Sequence, residues 1–118
     1  MEDIEFKFHH IGMNTDSRET AVEIVQDLSW MFGLTERIDK PGSPFAGEHI
    51  EVMAGKGPGI HGHIAFSVEN MDQAIHFLEV KNVTIDYETA KRNAKGSIYV
   101  IYLKKQIAGY AIQLFCNN

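Results

Sequence analysis

Two segments of the chain recur later in the same order, and this internal repeat constrains the fold more than any other feature of the sequence. Residues 10–13 (HIGM) line up with residues 63–66 (HIAF). Residues 46–53 (AGEHIEVM) line up with residues 108–115 (AGYAIQLF). Repetition in a fixed order indicates two copies of one structural unit. Because a unit of this size cannot bury both faces of a sheet by itself, we expect the two copies to share a core or to enclose a cavity.

A glycine-rich stretch at residues 55–59 is predicted to form a flexible connector between the two copies. The first module then covers about residues 4–55, and the second covers about residues 60–118. A chain of 118 residues has the size of one domain, so we expect a single domain over residues 1–118 with two modules inside it.

Each module is predicted to form a strand, a helix and then two or three further strands. The predicted strands of the first module are residues 6–14, 34–39 and 45–54, with a loop at residues 40–44. Those of the second module are residues 63–68, 83–88, 97–103 and 110–115, with a polar turn at residues 91–96.

The predicted helices run from Asp16 to about Phe32 and from Asn70 to about Lys81. Asp16 with Glu19, and Asn70 with Gln73, have the spacing of N-terminal capping pairs, and Gly33 suits a C-terminal cap. Helical spacing predicts that the first helix packs through Ala21, Ile24, Val25, Leu28, Met31 and Phe32, with Trp30 beside them.

Composition limits the compartment and the class of partner. The net charge is −5, and no stripe of Lys and Arg is available to neutralise a nucleic-acid backbone. The longest apolar stretches are far shorter than the roughly 20 residues that span a bilayer. The lone cysteine, Cys116, cannot form an internal disulfide, and the acidic N-terminus lacks a signal segment. We therefore expect a cytoplasmic protein that binds neither nucleic acid nor membrane.

Strand alternation places polar side chains of four strands on one face of the sheet, opposite large aliphatic residues that pack under the helices. His10 and His63 lie there at equivalent positions of the repeat, Glu51 shares the face with His49, and Gln113 lies on the last strand. A pair of hydrogen-bonded core histidines is the competing interpretation of His10 and His63. Gln113 is equally consistent with a structural amide and with a weak ligand.

These segments resemble the vicinal oxygen chelate superfamily, which includes glyoxalase I, methylmalonyl-CoA epimerase, extradiol dioxygenases and the fosfomycin- and bleomycin-resistance proteins. The segments that carry the resemblance are residues 10–12 (HIG), 50–52 (IEV), 62–65 (GHIA) and 109–114 (GYAIQL). The resemblance implies a glyoxalase-like α+β fold, in which two βαβββ modules form a cupped, largely antiparallel sheet around a metal. It also implies a homodimer, and it implies His10, Glu51, His63 and Gln113 as metal ligands.

The implied ligands would form a mixed nitrogen and oxygen site, which suits a divalent Zn, Ni, Co, Mn or Fe ion. Such a site can chelate a small substrate through neighbouring oxygens and stabilise an enediolate or enolate, with Glu51 as the base. In the superfamily that the chain resembles, metal-dependent members usually have Glu on the last strand, where this chain has Gln113. That difference disfavours dioxygenase chemistry and leaves a lyase or an isomerase as the first hypothesis.

Two other functions stay open. The first is a metal-free binding protein of the bleomycin-resistance type, which would hold a small molecule in the same cup. The second is an accessory module linked to a sugar-acid aldolase. The chain also resembles the glyoxalase-like domain that follows some bacterial keto-deoxy-phosphogluconate aldolases, through residues 11–15 (IGMNT), 45–47 (FAG), 50–53 (IEVM) and 101–104 (IYLK).

The remaining candidate residues are assigned by alternation alone. Predicted to line a substrate cavity are His49, Met53, Ser67, Tyr99, Tyr102 and Phe115, with Phe45 beside them. His49 and His61 share faces with Glu51 and His63, which makes both candidates for the cavity mouth, although a solvated position is the favoured interpretation for each. His9 has the wrong parity for the site and is predicted to lie at the surface, as is His76 on the second helix.

Overall fold

The structure is a computed structural model, and it describes residues 4–39 and 42–117. It contains eight strands and two helices in the order that the repeat predicts. The first module consists of β1 (Lys7–Met13), α1 (Arg18–Phe32), β2 (Glu36–Arg37), β3 (Phe45–Ala46) and β4 (Ile50–Val52). The second consists of β5 (Gly62–Ser67), α2 (Met71–Val80), β6 (Ile85–Arg92), β7 (Ile98–Leu103) and β8 (Tyr110–Phe115).

All eight strands join in one mixed sheet with the order β2-β3-β4-β1-β5-β8-β7-β6. The first strand of each module pairs in parallel with the last strand of the same module, and the other pairings are antiparallel. The two modules meet where β1 pairs with β5 in the middle of the sheet. This architecture confirms the predicted α+β fold of two βαβββ modules.

The strand register gives the sheet an approximate twofold axis. Ile11 pairs with Ile64, its own counterpart in the repeat, so the axis passes through this pair. On either side of it, Gly12 pairs with His63 and His10 pairs with Ala65. The two outer partners follow the same rule: Glu51 pairs with Gly12, and Gln113 pairs with Ala65.

Both helices cover the same face of the sheet, and each lies over its own apolar cluster. The cluster under α1 is formed by Ala21, Val25, Ala46 and Val52. The cluster under α2 is larger and is formed by Val68, Met71, Ala74, Ile75, Ile85, Ile98, Ile101, Leu114 and Cys116. Of the two expected arrangements, a shared core or an enclosed cavity, the described residues show separate apolar clusters and a common polar face. Each helix supplies a cover for its own half, which leaves the opposite face for polar residues.

The N-cap of helix α1 lies one residue later than predicted. Its N-cap is Ser17, whose side-chain oxygen accepts a hydrogen bond from the Thr20 amide, so Asp16 is not the cap. Ser17 has the extended backbone that an N-cap requires, and serine caps as well as aspartate does. The Gly33 cap is confirmed with φ 69°, and Asn70 caps α2 by accepting from the Gln73 amide.

The end of α1 also differs from the prediction. Trp30 is 86% exposed and Phe32 is 68% exposed, and Met31 is exposed as well. The predicted packing is confirmed for Ala21 and Val25, which are buried, and for Ile24 and Leu28, which are half-buried against the same cluster. Ser29 is also buried on this face, whereas the large side chains of the last turn are not.

Several strand boundaries also shift. The predicted strand at residues 34–39 is reduced to β2, and a turn at residues 47–49 divides the predicted strand at residues 45–54 into β3 and β4. Strand β6 continues through Arg92, into the segment predicted as a polar turn. In the predicted loop at residues 40–44, Lys40 and Pro41 lie outside the described residues. Of the helices that the described residues form, neither is long and apolar enough to cross a membrane.

The core assignment predicts a large difference in stability between two substitutions. Ile101 is fully buried under α2, so Ile101→Ala should lower the free energy of unfolding by about 2–5 kcal/mol. Trp30→Ala removes a larger side chain from an exposed position and should change the free energy of unfolding by less than about 0.5 kcal/mol. Urea unfolding followed by far-UV circular dichroism measures both. Equal losses would contradict the packing of α1.

Candidate metal centre

Three of the four predicted ligands converge on the polar face of the sheet. His10 Nε2 lies 3.4 Å from Glu51 Oε1, and His63 Nε2 lies 3.2 Å from the same oxygen. The two Nε2 atoms are 3.2 Å apart. The side chains are 11%, 19% and 3% exposed for His10, Glu51 and His63, so the cluster is largely shielded from solvent. The arrangement therefore points three potential ligand atoms at one another in a partly buried site.

The size of this triangle matches the coordination shell of a divalent transition metal. Two ligands about 2.1 Å from an ion are separated by about 3.0 Å at a right angle and by about 3.4 Å at a tetrahedral angle. All three observed separations, from 3.2 to 3.4 Å, fall in or at the edge of that interval. Two imidazole nitrogens and one carboxylate oxygen also form a donor set that such ions bind. The residues therefore fit a metal ion.

Gly12, which lies next to the twofold axis of the sheet, leaves space for the His63 ring. Gly12 lies directly opposite His63 in the β1–β5 pair, and a Cβ at Gly12 would overlap the His63 imidazole. Ala65 occupies the equivalent position opposite His10 and does carry a Cβ. Glycine at position 12 is thus required by the close approach of a side chain, since its φ is not in the left-handed region.

The two histidines determine the charge of Glu51. Burial alone would raise the pKa of this carboxyl, but hydrogen bonds from His10 and His63, and their charge when protonated, lower the pKa to about 2. Glu51 is therefore a carboxylate at neutral pH. A half-buried negative charge of this kind requires donors or a cation beside it.

His9 joins the cluster, although alternation predicted a surface position. Its Nδ1 lies 2.7 Å from His10 Nδ1, and its ring packs against Phe115 with centroids 5.2 Å apart. The β1–β5 register shifts between Phe8 and His10, which marks a β-bulge at this point. Because a bulge inserts an extra residue, the side chain of His9 no longer points away from its neighbour. Burial, His10 and His49 all lower the pKa of His9, which keeps it neutral.

Two aromatic rings flank the histidines at equivalent positions. The Phe45 ring contacts His10 with centroids 5.7 Å apart, and the Tyr102 ring contacts His63 with centroids 6.4 Å apart, both edge-on. Gln113 lies across from Tyr102 in the β7–β8 pair and donates a hydrogen bond from its Nε2 to the Tyr102 hydroxyl (2.7 Å). Gln113 thus approaches the cluster through Tyr102, on the side of the axis opposite Glu51.

The other predicted cavity residues lie at the margins of this face. Phe115 packs on His9, and Ser67 pairs with Phe115 at the far end of β5. His49 is exposed, and its Nδ1 lies 2.8 Å from the His9 carbonyl oxygen. Tyr99 is half-buried at a register shift between β6 and β7. Met53 lies away from the triad, where its sulfur accepts a hydrogen bond from Ser43.

His9 is the residue that the sequence prediction missed. The signal for it in the sequence is weak. Two adjacent histidines in a regular strand lie on opposite faces of the sheet, and the sequence alone does not show the β-bulge that brings both to one face. His61 and His76 are both exposed, and the His61 ring packs on Tyr110. The six histidines therefore divide into an inner set of His9, His10 and His63 and an outer set.

No protein-family profile and no curated protein matches the chain. Solved structures do match. A hypothetical protein from Bacillus halodurans C-125 is 20% identical, with a TM-score of 0.66 over 97% of this chain and 96% of that one. A methylmalonyl-CoA epimerase is 19% identical, with a TM-score of 0.63 over 100% and 99% of the two chains.

The methylmalonyl-CoA epimerase from Mycobacterium tuberculosis is 23% identical, with a TM-score of 0.60 over 95% of this chain and 88% of that one. Other matching epimerase structures hold methylmalonyl-CoA or 2-nitronate-propionyl-CoA. At these identities the likeness shows the fold, and the fold is the glyoxalase-like α+β fold of these epimerases.

The close approach of Gly12 to His63 can be tested by a double-mutant cycle. Gly12→Ala should lower the free energy of unfolding by about 1–3 kcal/mol, because the new methyl group overlaps the imidazole. Adding His63→Ala to that variant removes the overlap and should recover part of the loss, giving a coupling energy above about 0.5 kcal/mol. Additive effects of the two substitutions would contradict the predicted contact.

Proposed function

We propose that this chain is a metal-dependent isomerase or lyase of the glyoxalase type, in the vicinal oxygen chelate superfamily. The observation that carries the proposal is the convergence of His10 Nε2, Glu51 Oε1 and His63 Nε2 within 3.4 Å of one another. Three such groups from three strands form a ligand set in a fold shared with epimerases. An isomerase is favoured over a lyase because the neighbours with a named activity are epimerases.

His10, Glu51 and His63 would hold the ion, with Gln113 as a fourth ligand from the opposite side of the axis. A divalent Zn, Ni, Co, Mn or Fe ion suits these donors, and when bound it supplies positive charge that stabilises negative charge developing on substrate oxygens. The amide nitrogen of Gln113 donates to Tyr102, which turns the amide oxygen away from that hydroxyl. That orientation leaves the oxygen available as a ligand.

The substrate class follows from the site and from the neighbours. A small acid or thioester with neighbouring oxygens could occupy the polar face, and the proton to be moved would lie on the carbon next to the carbonyl group. Epimerase neighbours bind methylmalonyl-CoA, which has these features, so we take a 2-substituted acyl thioester as the first substrate to test.

Glu51 and Tyr102 are the residues of this chain that would handle the proton and the charge. Both histidines contact Glu51 Oε1, so Oε2 is the atom that would accept the proton from the substrate. The low pKa of Glu51 makes it a weak base, which requires a substrate whose carbanion is well stabilised. Burial and the charge of Glu51 raise the pKa of Tyr102, so its hydroxyl stays protonated and can donate to a substrate oxygen.

A metal-free binding protein is the second candidate, and one observation favours it. Glu51 Oε1 lies within hydrogen-bonding reach of both imidazoles, so the cluster can satisfy its own charge without an ion. The aldolase-linked role, the homodimer and the cytoplasmic location remain predictions.

Metal analysis separates the two candidates. Protein purified without chelators should contain about one divalent ion per chain, and His10→Ala and His63→Ala should each lose most of it because each removes one of three ligands. His76→Ala, on the exposed side of α2, is the matched control and should keep the ion. Metal-free wild-type protein that still binds acyl thioesters would instead support the binding protein.

Deuterium exchange tests the reaction and the role of Tyr102. In D₂O the wild-type protein should incorporate deuterium next to the thioester carbonyl of methylmalonyl-CoA. Tyr102→Phe should slow this incorporation by about 10²-fold while the ion is retained, because the donated hydrogen bond is lost. His76→Ala, at an exposed position on α2, should leave the rate unchanged. Unchanged exchange in Tyr102→Phe would remove this residue from the mechanism.

A further inference from the structure

The contact between His9 and His10 is the shortest contact that either ring makes with another side chain's nitrogen. The two Nδ1 atoms are 2.7 Å apart, and the rings are nearly perpendicular with centroids at 5.0 Å. His9 is held in this position from two further directions. Phe115 packs on its ring, and the His49 side chain lies 2.8 Å from its carbonyl oxygen. The imidazole of His9, at the bulge in β1, is therefore held in a fixed position.

A hydrogen bond between two neutral imidazole nitrogens contains one proton, and its position determines what the other nitrogen of each ring can do. If His10 carries the proton on Nδ1, then its Nε2 presents a lone pair toward Glu51 and His63. If His9 carries the proton instead, then His10 is protonated on Nε2 and cannot bind an ion there. The partner of His10 Nδ1 thus decides whether His10 is a ligand.

We infer that His9 is a positioning residue for the metal ligand His10: its Nδ1 accepts the Nδ1 proton of His10 and so orients the ring and selects the tautomer that binds the ion. This inference rests on the proposed metal site. Metal-bound histidines as a rule donate their second nitrogen to an acceptor that fixes ring and tautomer, and loss of that acceptor weakens the site. In this chain a second histidine fills that role.

The second module provides an internal comparison. The repeat places Gly62 at the position of His9, and a side chain there would overlap the Gly12 carbonyl oxygen. His63 Nδ1 is correspondingly buried without a hydrogen-bond partner among the described residues. Packing against Gly12 and Tyr102 therefore orients the His63 ring, whereas the His10 ring is oriented by a hydrogen bond. Only one of the two histidines has an acceptor that could be removed.

Zinc affinity of the full chain tests the inference, measured by competition with a chromophoric chelator. His9→Phe keeps a ring against Phe115 but removes the acceptor, and it should raise the dissociation constant about 10–100-fold. His9→Asn offers an amide oxygen near the position of Nδ1 and should recover most of that loss. His61→Phe, the same change at an exposed histidine that also stacks on an aromatic ring, should have no effect.

A spectroscopic measurement distinguishes positioning from a general loss of packing. In the zinc-loaded wild-type protein, ¹H–¹⁵N correlation spectra should show His10 protonated on Nδ1, with a proton shifted downfield by the hydrogen bond. That shift should be absent in His9→Phe. Unfolding of the metal-free variants in urea reports whether His9→Phe folds, and His9→Asn repeats the test in a polar side chain.

Three results would overturn the inference. Equal zinc affinity in the wild type and His9→Phe would remove His9 from the site and leave the metal site intact. Failure of His9→Asn to recover affinity would reduce His9 to a packing residue. If the wild-type protein binds no divalent ion at all, the proposed function fails, and the role of His9 fails with it.

Discussion

The antiparallel pairing of β1 with β5 is the interaction on which the candidate site depends. Each module contributes one of the two candidate ligand histidines, and the pair of strands at the twofold axis brings them to the same face. A slip of one residue between these two strands would put the two imidazoles on opposite faces of the sheet. The register of the Ile11–Ile64 pair therefore determines the geometry of the candidate metal centre.

Departures from the twofold symmetry make the two sides of the site chemically different. The twofold axis relates Glu51 to Gln113 and Phe45 to Tyr102, so one side of the axis is anionic and the other carries neutral donors. With one carboxylate and two neutral imidazoles, a divalent ion would retain one net positive charge. A second glutamate in place of Gln113 would cancel it. The residual charge favours a substrate that becomes negative as it reacts.

The repeat and the alternation of strand residues were enough to predict the order of the elements and the face on which His10 and His63 meet. These features follow from periodicity, which a sequence carries directly. The choice of Glu51, which shares its face with His49, came from the family resemblance. The bulge that brings His9 inward could not be predicted, because it depends on pairing with a strand more than fifty residues away. Trp30 was misplaced for a different reason. The buried line of α1 runs through Ala21, Val25 and Ser29, and Trp30 follows Ser29 by about 100° around the helix.

The protons of the cluster can be arranged with and without an ion, and His63 Nδ1 stays unpaired in both arrangements. Without an ion, both Nε2–H groups can donate to Glu51, and His63 Nδ1 is then a buried acceptor without a donor among the described residues. With an ion, His63 would carry its proton on Nδ1 as a buried donor without an acceptor there. Such an unpaired group costs about 1–3 kcal/mol. Because this cost is present with and without the ion, it does not by itself weaken binding, and the free energy of coordination decides whether the site is occupied.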